Sequence, residues 1–103
     1  MLKNKKTFLK SYLLQQAKIT RLKEMLSAHP EESQNYNAQI EECLKVRQEI
    51  EQKISAMDND ILKELLTQKY ICGKTLEEIS LIINYSKRHV ERLHITAIEK
   101  LEI

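Results

Sequence analysis

The stretch TLEEISLIINYSKRHVERLH, residues 75–94, holds two short amphipathic patterns on either side of Asn84-Tyr85-Ser86. Thr75-Leu76-Glu77-Glu78 reads as a capping box, in which the Thr75 hydroxyl accepts from the backbone N–H of Glu78 and the Glu78 carboxylate returns to the N–H of Thr75. A helix therefore starts at Leu76. Its buried stripe is Leu76, Ile79 and Ile83, and Ser80 is small enough for another helix to approach closely. Asn84 follows, and after glycine asparagine best tolerates the positive φ of a sharp turn between helices. Ser86 caps a further helix whose apolar positions are Val90, Leu93, Ala97 and Leu101, flanked by Ile98. That spacing turns Lys87, Arg88, His89, Glu91 and Arg92 outward. Asn84-Tyr85-Ser86 also fits a glycosylation sequon, but the turn and the cap are the better use of these residues.

Upstream, Leu62, Leu65, Leu66 and Tyr70 mark a helix that should end at Ile71-Cys72-Gly73, where the only glycine of the chain suits a left-handed cap. SAMDND, residues 55–60, breaks the preceding pattern and offers Asp58, Asn59 and Asp60 as N-caps. Before it, Phe8, Tyr12, Gln15, Ile19, Leu22 and Leu26 recur at spacings of four and three, with Leu9 and Leu13 widening the stripe: a helix of about five turns. His29-Pro30 stops it, and Pro30 suits the first turn of the next helix, where Glu31 and Glu32 favour the positive end of the dipole. That helix carries Tyr36, Ile40, Cys43, Arg47, Ile50, Ile54 and Met57 on one face, flanked by Leu44 and Val46. A short link between two such helices predicts an antiparallel hairpin. The expected fold is all-α: a coiled-coil-like hairpin over residues 1–57 and a three-helix unit over residues 58–103.

Composition agrees. At 103 residues the chain supports one modest core, and a single Gly, a single Pro and 31% charged residues suit long helices. Cys43 and Cys72 match no disulfide framework or zinc spacing, and read as reduced, partly buried thiols. YLL is the longest apolar run near the N-terminus, too short for a signal-peptide core or a membrane span, so a cytoplasmic protein without membrane contact is expected. Charge is uneven. Residues 1–29 carry Lys3, Lys5, Lys6, Lys10, Lys18, Arg21 and Lys23 against Glu24, a net +6; residues 30–57 carry −3 and residues 58–103 carry −1. The basic arm beside the acidic one predicts charge pairing across the hairpin. His89 and His94 are five apart rather than the four that puts two ligands on one helical face, which argues against a metal. His29 is expected in the hairpin turn and His94 at the edge of the core. No nucleophile–base set or phosphate loop is visible, so neither an enzyme nor a cofactor is expected.

The cap, turn, cap and basic opening form the plan of a helix-turn-helix, whose second helix enters the major groove of DNA. Residues 65–101, LLTQKYICGKTLEEISLIINYSKRHVERLHITAIEKL, resemble region four of bacterial sigma factors through Tyr70, Gly73, Leu76, the Glu78-Ile79 pair with a small residue after it, Ser86, Val90, Ala97 and Leu101. With the N-terminal hairpin, the chain looks like small sigma-region-four-like transcriptional regulators of phages and prophages of Gram-positive bacteria, including the autolysin-regulator type. Two features depart from the family: Asn84 replaces its turn glycine, and Leu81 and Ile82 stand where it is more polar. No other sigma region is visible, so the resemblance implies a regulator and not a complete sigma factor.

The first turn of the recognition helix places Lys87, Arg88 and His89 for base edges, with Arg92 one turn on; Arg88 suits O6 and N7 of guanine. Lys74, Thr75 and Ser86, at helix starts, suit DNA phosphates, although Thr75 and Ser86 already act as caps. The leading expectation is a sequence-specific DNA-binding regulator of transcription, a homodimer through its N-terminal hairpin. A second reading is a protein-interaction module that binds RNA polymerase or another regulator through Leu81, Ile82 and the hairpin. A third is a small-terminase-like DNA-binding subunit of a phage packaging machine.

Overall fold

The computed structural model describes residues 2–103, with side chains from Asn4 onward. Lys3, counted in the basic arm, lies outside the described side chains. Among the described residues the chain is all-helical, with α1 over Leu2–Ala28, α2 over Ser33–Ser55, α3 over Asp60–Leu66, α4 over Leu76–Ile83 and α5 over Lys87–Lys100. A single 3-10 turn, Pro30–Glu32, joins α1 to α2, and a π-helical segment, Thr67–Ile71, continues α3. No described helix is long and apolar enough to cross a membrane.

Helices α1 and α2 run side by side in opposite directions. The Tyr12 hydroxyl donates to Glu51 Oε1 at 2.6 Å, and one turn further along Arg47 Nη1 donates to Gln16 Oε1. Burial beside Glu51 raises the Tyr12 phenol to about 12, so it stays a donor. Charge pairing across these helices is not what holds them. The cation–carboxylate contacts among the described residues are Arg47–Glu51 and, when the histidine is protonated, His29–Glu31, both local and neither between the two helices. Helix α1 also starts earlier than its stripe, at Leu2 instead of Phe8.

The main core ignores the boundary between the two halves. Leu9, Tyr12, Ile50 and Ile54 are buried in the same cluster as Leu62, Leu65, Leu66, Tyr70, Ile79, Val90, Ala97, Ile98 and Leu101. A small second cluster, Ile19, Leu22 and Cys43, sits nearer the hairpin tip. Leu13, placed on the apolar stripe from spacing, is 45% exposed. Leu9 and Tyr12 take the central positions, and Leu13 packs over Gly73 instead, its Cδ1 3.6 Å from where a Cβ would stand. Met57 is buried beyond the end of α2, and Asn59 is the residue that caps α3, accepting from Leu62 N at 3.0 Å. Cys43 is buried and Cys72 is exposed, so only the first is the covered thiol expected of both.

Because the core is shared, the two halves should melt together. Leu9→Ala is expected to destabilise the whole fold by about 2–5 kcal/mol, the range for deleting a fully buried leucine, in one transition followed both by helical circular dichroism and by tyrosine fluorescence. Two separate transitions, with only one displaced, would contradict the shared core.

Candidate functional site

The segment from Thr75 to Arg92 is positioned by three local devices. The first is the capping box at α4, present in both directions: Glu78 N donates to Thr75 Oγ1 at 3.1 Å and Thr75 N donates to Glu78 Oε1 at 3.0 Å. These bonds, with Lys74 nearby, hold the Glu78 carboxyl below the usual carboxylate range. The second is Asn84, at φ 60° and ψ 42°, whose N–H donates back to the Ser80 carbonyl. Tyr85 N reaches the same carbonyl at 3.1 Å. Two donors on one acceptor close α4 in a tight left-handed turn that a β-branched residue would resist. The third is Ser86, whose Oγ accepts from His89 N at 3.1 Å.

Helix α5 buries Val90, His94, Ala97 and Ile98. At about 100° per residue, this leaves Arg88 and Arg92 adjacent on the face opposite the core, both exposed. Lys87 and His89, also exposed, diverge to opposite flanks. Lys87 faces a groove bounded by α1 and the start of α4, shared with Lys74 and Thr75. His89 turns toward α3, its ring stacked on Tyr85 at 4.7 Å between centroids and 10° between planes. The four residues assigned to base edges thus split into an outward Arg88–Arg92 ridge and two flanking groups. Lys74, Thr75 and Ser86 all lie at helix starts, with the Thr75 and Ser86 oxygens engaged as cap acceptors.

Two groups in this region escaped the sequence reading. Lys10 and Lys69 line the same groove as Lys74 and Lys87. No local signal could find them, since the groove exists only once α1 packs against the π-helical segment. The other surprise is His94, expected at the core edge but only 7% exposed. Its Nε2 shares a 2.7 Å hydrogen bond with the Tyr70 hydroxyl. Burial, then the charges of Lys69, Lys6 and Lys10, push the imidazole down to about 4, while burial lifts the Tyr70 phenol to about 12. The pair is neutral across the ordinary pH range, a satisfied core contact and not an acid–base couple. At the hairpin tip, His29, Glu31 and Glu32 bring three ligand atoms within 4.8 Å of one another, fully on the surface and far along the hairpin from α4.

No protein-family model, curated protein or solved structure matches this chain.

Two outcomes follow from the buried pair and the turn. The unfolded chain takes up a proton at the ordinary histidine value of 6.5, whereas folded His94 resists until about 4. Protonation therefore favours unfolding, and this group's contribution to stability is lost as pH falls from 6.5 toward 4, by at most about 1.4 kcal/mol per pH unit. The melting midpoint of the wild type should drop more steeply than that of His94→Leu between neutral and mildly acidic pH; equal slopes would contradict a buried neutral imidazole. Asn84→Gly should leave the midpoint unchanged or slightly raised, while Asn84→Val should cost about 1–2 kcal/mol in urea unfolding, the penalty of a branched residue at positive φ.

Proposed function

We propose that this chain is a sequence-specific DNA-binding regulator of transcription, in which α4 and α5 act as a sigma-region-four-like helix-turn-helix and the α1–α2 hairpin carries the partner contacts. The observation that carries this reading is the Arg88–Arg92 ridge, presented at the capped start of α5 and held relative to α4 by the left-handed Asn84. Such a helix enters the major groove with its N-terminal residues toward base edges. Arg88 bridges O6 and N7 of a guanine, and Arg92 reads or anchors one turn further on. Lys87, on the flank, and Lys74 neutralise phosphates. The Thr75 and Ser86 hydroxyls accept cap bonds through oxygen and still have a proton to donate to a phosphate. His89, stacked on Tyr85, borders the ridge on the α3 side and has the shortest reach of the four.

Affinity is the limiting quantity. The net −1 of residues 58–103 gives one copy little hold on a polyanion, so a second copy is part of the proposal. A homodimer formed through the hairpin, where Leu14 is 53% exposed on α1, places two ridges on a two-fold symmetric site. A protein contact is supported separately by Leu81 and Ile82, which are 80% and 50% exposed on the outer face of α4. RNA polymerase is the partner that the sigma-like reading implies for this face.

Selection from a random-sequence duplex pool tests the reading. The wild type should enrich a defined site, and Arg88→Ala should lose about 1–3 kcal/mol, with relaxed preference at a single guanine position. Leu81→Ser should leave that preference intact while weakening any polymerase contact. Failure of the wild type to enrich a site, or an unchanged site with Arg88→Ala and Arg92→Ala combined, would overturn the assignment.

A further inference from the structure

The groove between α1 and the start of α4, about 470 Å³ in volume, gathers lysines from four separate parts of the chain. Lys10 comes from α1, Lys69 from the π-helical segment, Lys74 from the loop before α4, and Lys87 from the first position of α5. Among the described residues none of the four forms an ion pair. Lys69 lies 5.6 Å above the Tyr70 ring, which orients the ammonium without neutralising it. Glu77 is the acidic group of the groove, and the neighbouring Glu78 carboxylate is committed to the capping box. The same box satisfies the N–H groups of Thr75 and Glu78 only. Those of Leu76 and Glu77, in the same first turn, have no intrahelical acceptor.

The approach of α1 is fixed. Leu13, one turn beyond Lys10, packs on Gly73, whose φ of 76° lets the loop pass beneath it. Four like charges are thereby held around one opening that borders Lys87 and the start of α5. Their mutual repulsion is relieved when an anion enters.

We propose that this groove seats a backbone phosphate of duplex DNA, with Lys10 and Lys69 extending the interface from the start of α5 onto α1. The proposal rests on the DNA-binding reading above and changes the part played in it by the first helix, which becomes a nucleic-acid contact as well as a scaffold. It also answers the affinity deficit of residues 58–103, since Lys10 belongs to the arm that carries +6.

The test is the salt dependence of affinity of the full chain for a random-sequence duplex. Lys10→Gln and Lys69→Gln should each flatten the slope of log affinity against log salt by about one and weaken binding to every sequence alike. Lys10→Arg should restore the slope. Lys23→Gln, the same charge change about 20 Å further along α1, should alter nothing. Melting midpoints of the Lys10 and Lys23 variants should match the wild type, because these side chains are exposed. An unchanged slope for Lys10→Gln, or an equal loss for Lys23→Gln, overturns the proposal. So does tighter binding to a random RNA duplex with the same dependence on Lys10, which would assign the groove to RNA. If the wild type binds no duplex, the DNA-binding reading falls with it; if Arg88→Ala relaxes sequence preference while Lys10→Gln keeps the slope, only the groove proposal falls.

Discussion

Burial of Leu9 and Tyr12 in one cluster with Leu65, Leu66, Val90 and Ile98 is the contact on which the rest of the molecule rests. Helix α4 has eight residues and α5 fourteen, lengths at which isolated helices are marginal in water. Neither could hold a defined side-chain array by itself. The long helix α1 supplies the missing surface, while α2 covers its other side through Ile50 and Ile54. The hairpin is thus part of the structure that fixes α4 and α5, not an appendage to it. The same packing sets Lys10 beside Lys69 and brings His94 under cover against Tyr70.

Much of this was legible locally. Capping depends on residues three apart, so Thr75, Glu78 and Ser86 announced two helix starts that the structure contains, and Asn84 announced the left-handed turn. Apolar spacing identified most buried positions of α5 for the same reason. What spacing could not supply is which of two adjacent apolar residues wins the centre. Leu9 and Leu13 both fit the stripe, but Leu9 is fully buried while Leu13 lies at the rim beside Gly73. His94 was likewise placed too far out, since its cover comes from Tyr70, 24 positions away. The charge blocks misled in another way. Opposite net charges on two arms favour proximity over several ångströms, yet adjacent outer faces need not form contacts, and here the polar bonds between the two arms include Tyr12–Glu51 and Arg47–Gln16.

The proposed reading surface illustrates the same division between local and distant information. Its direction comes from the helix period, which puts Arg88 and Arg92 opposite Val90 and Ala97. Its charge environment comes from tertiary packing, which adds lysines of α1 and the π-helical segment to those beside the turn. Under the proposed reading, base discrimination and phosphate neutralisation would draw on different parts of the chain, the first on a run of a few residues and the second on elements far apart in sequence. Changes in sequence preference and changes in overall hold on a polyanion can then arise independently.

The uneven distribution of buried groups along the hairpin has a dynamic counterpart. The end of α1 and α2 near the C-terminal helices belongs to the large cluster, whereas the far end relies on Ile19, Leu22 and Cys43, with Tyr36, Ile40 and Leu44 only partly covered. Local opening free energy follows the apolar area that must be uncovered. Amide exchange should accordingly be graded along the hairpin, fast around Pro30 and approaching the global limit by Ile50 and Leu9. The molecule, 52 Å along its greatest dimension, thus carries its arginine ridge at the end that holds the large cluster, away from the thinly covered hairpin tip.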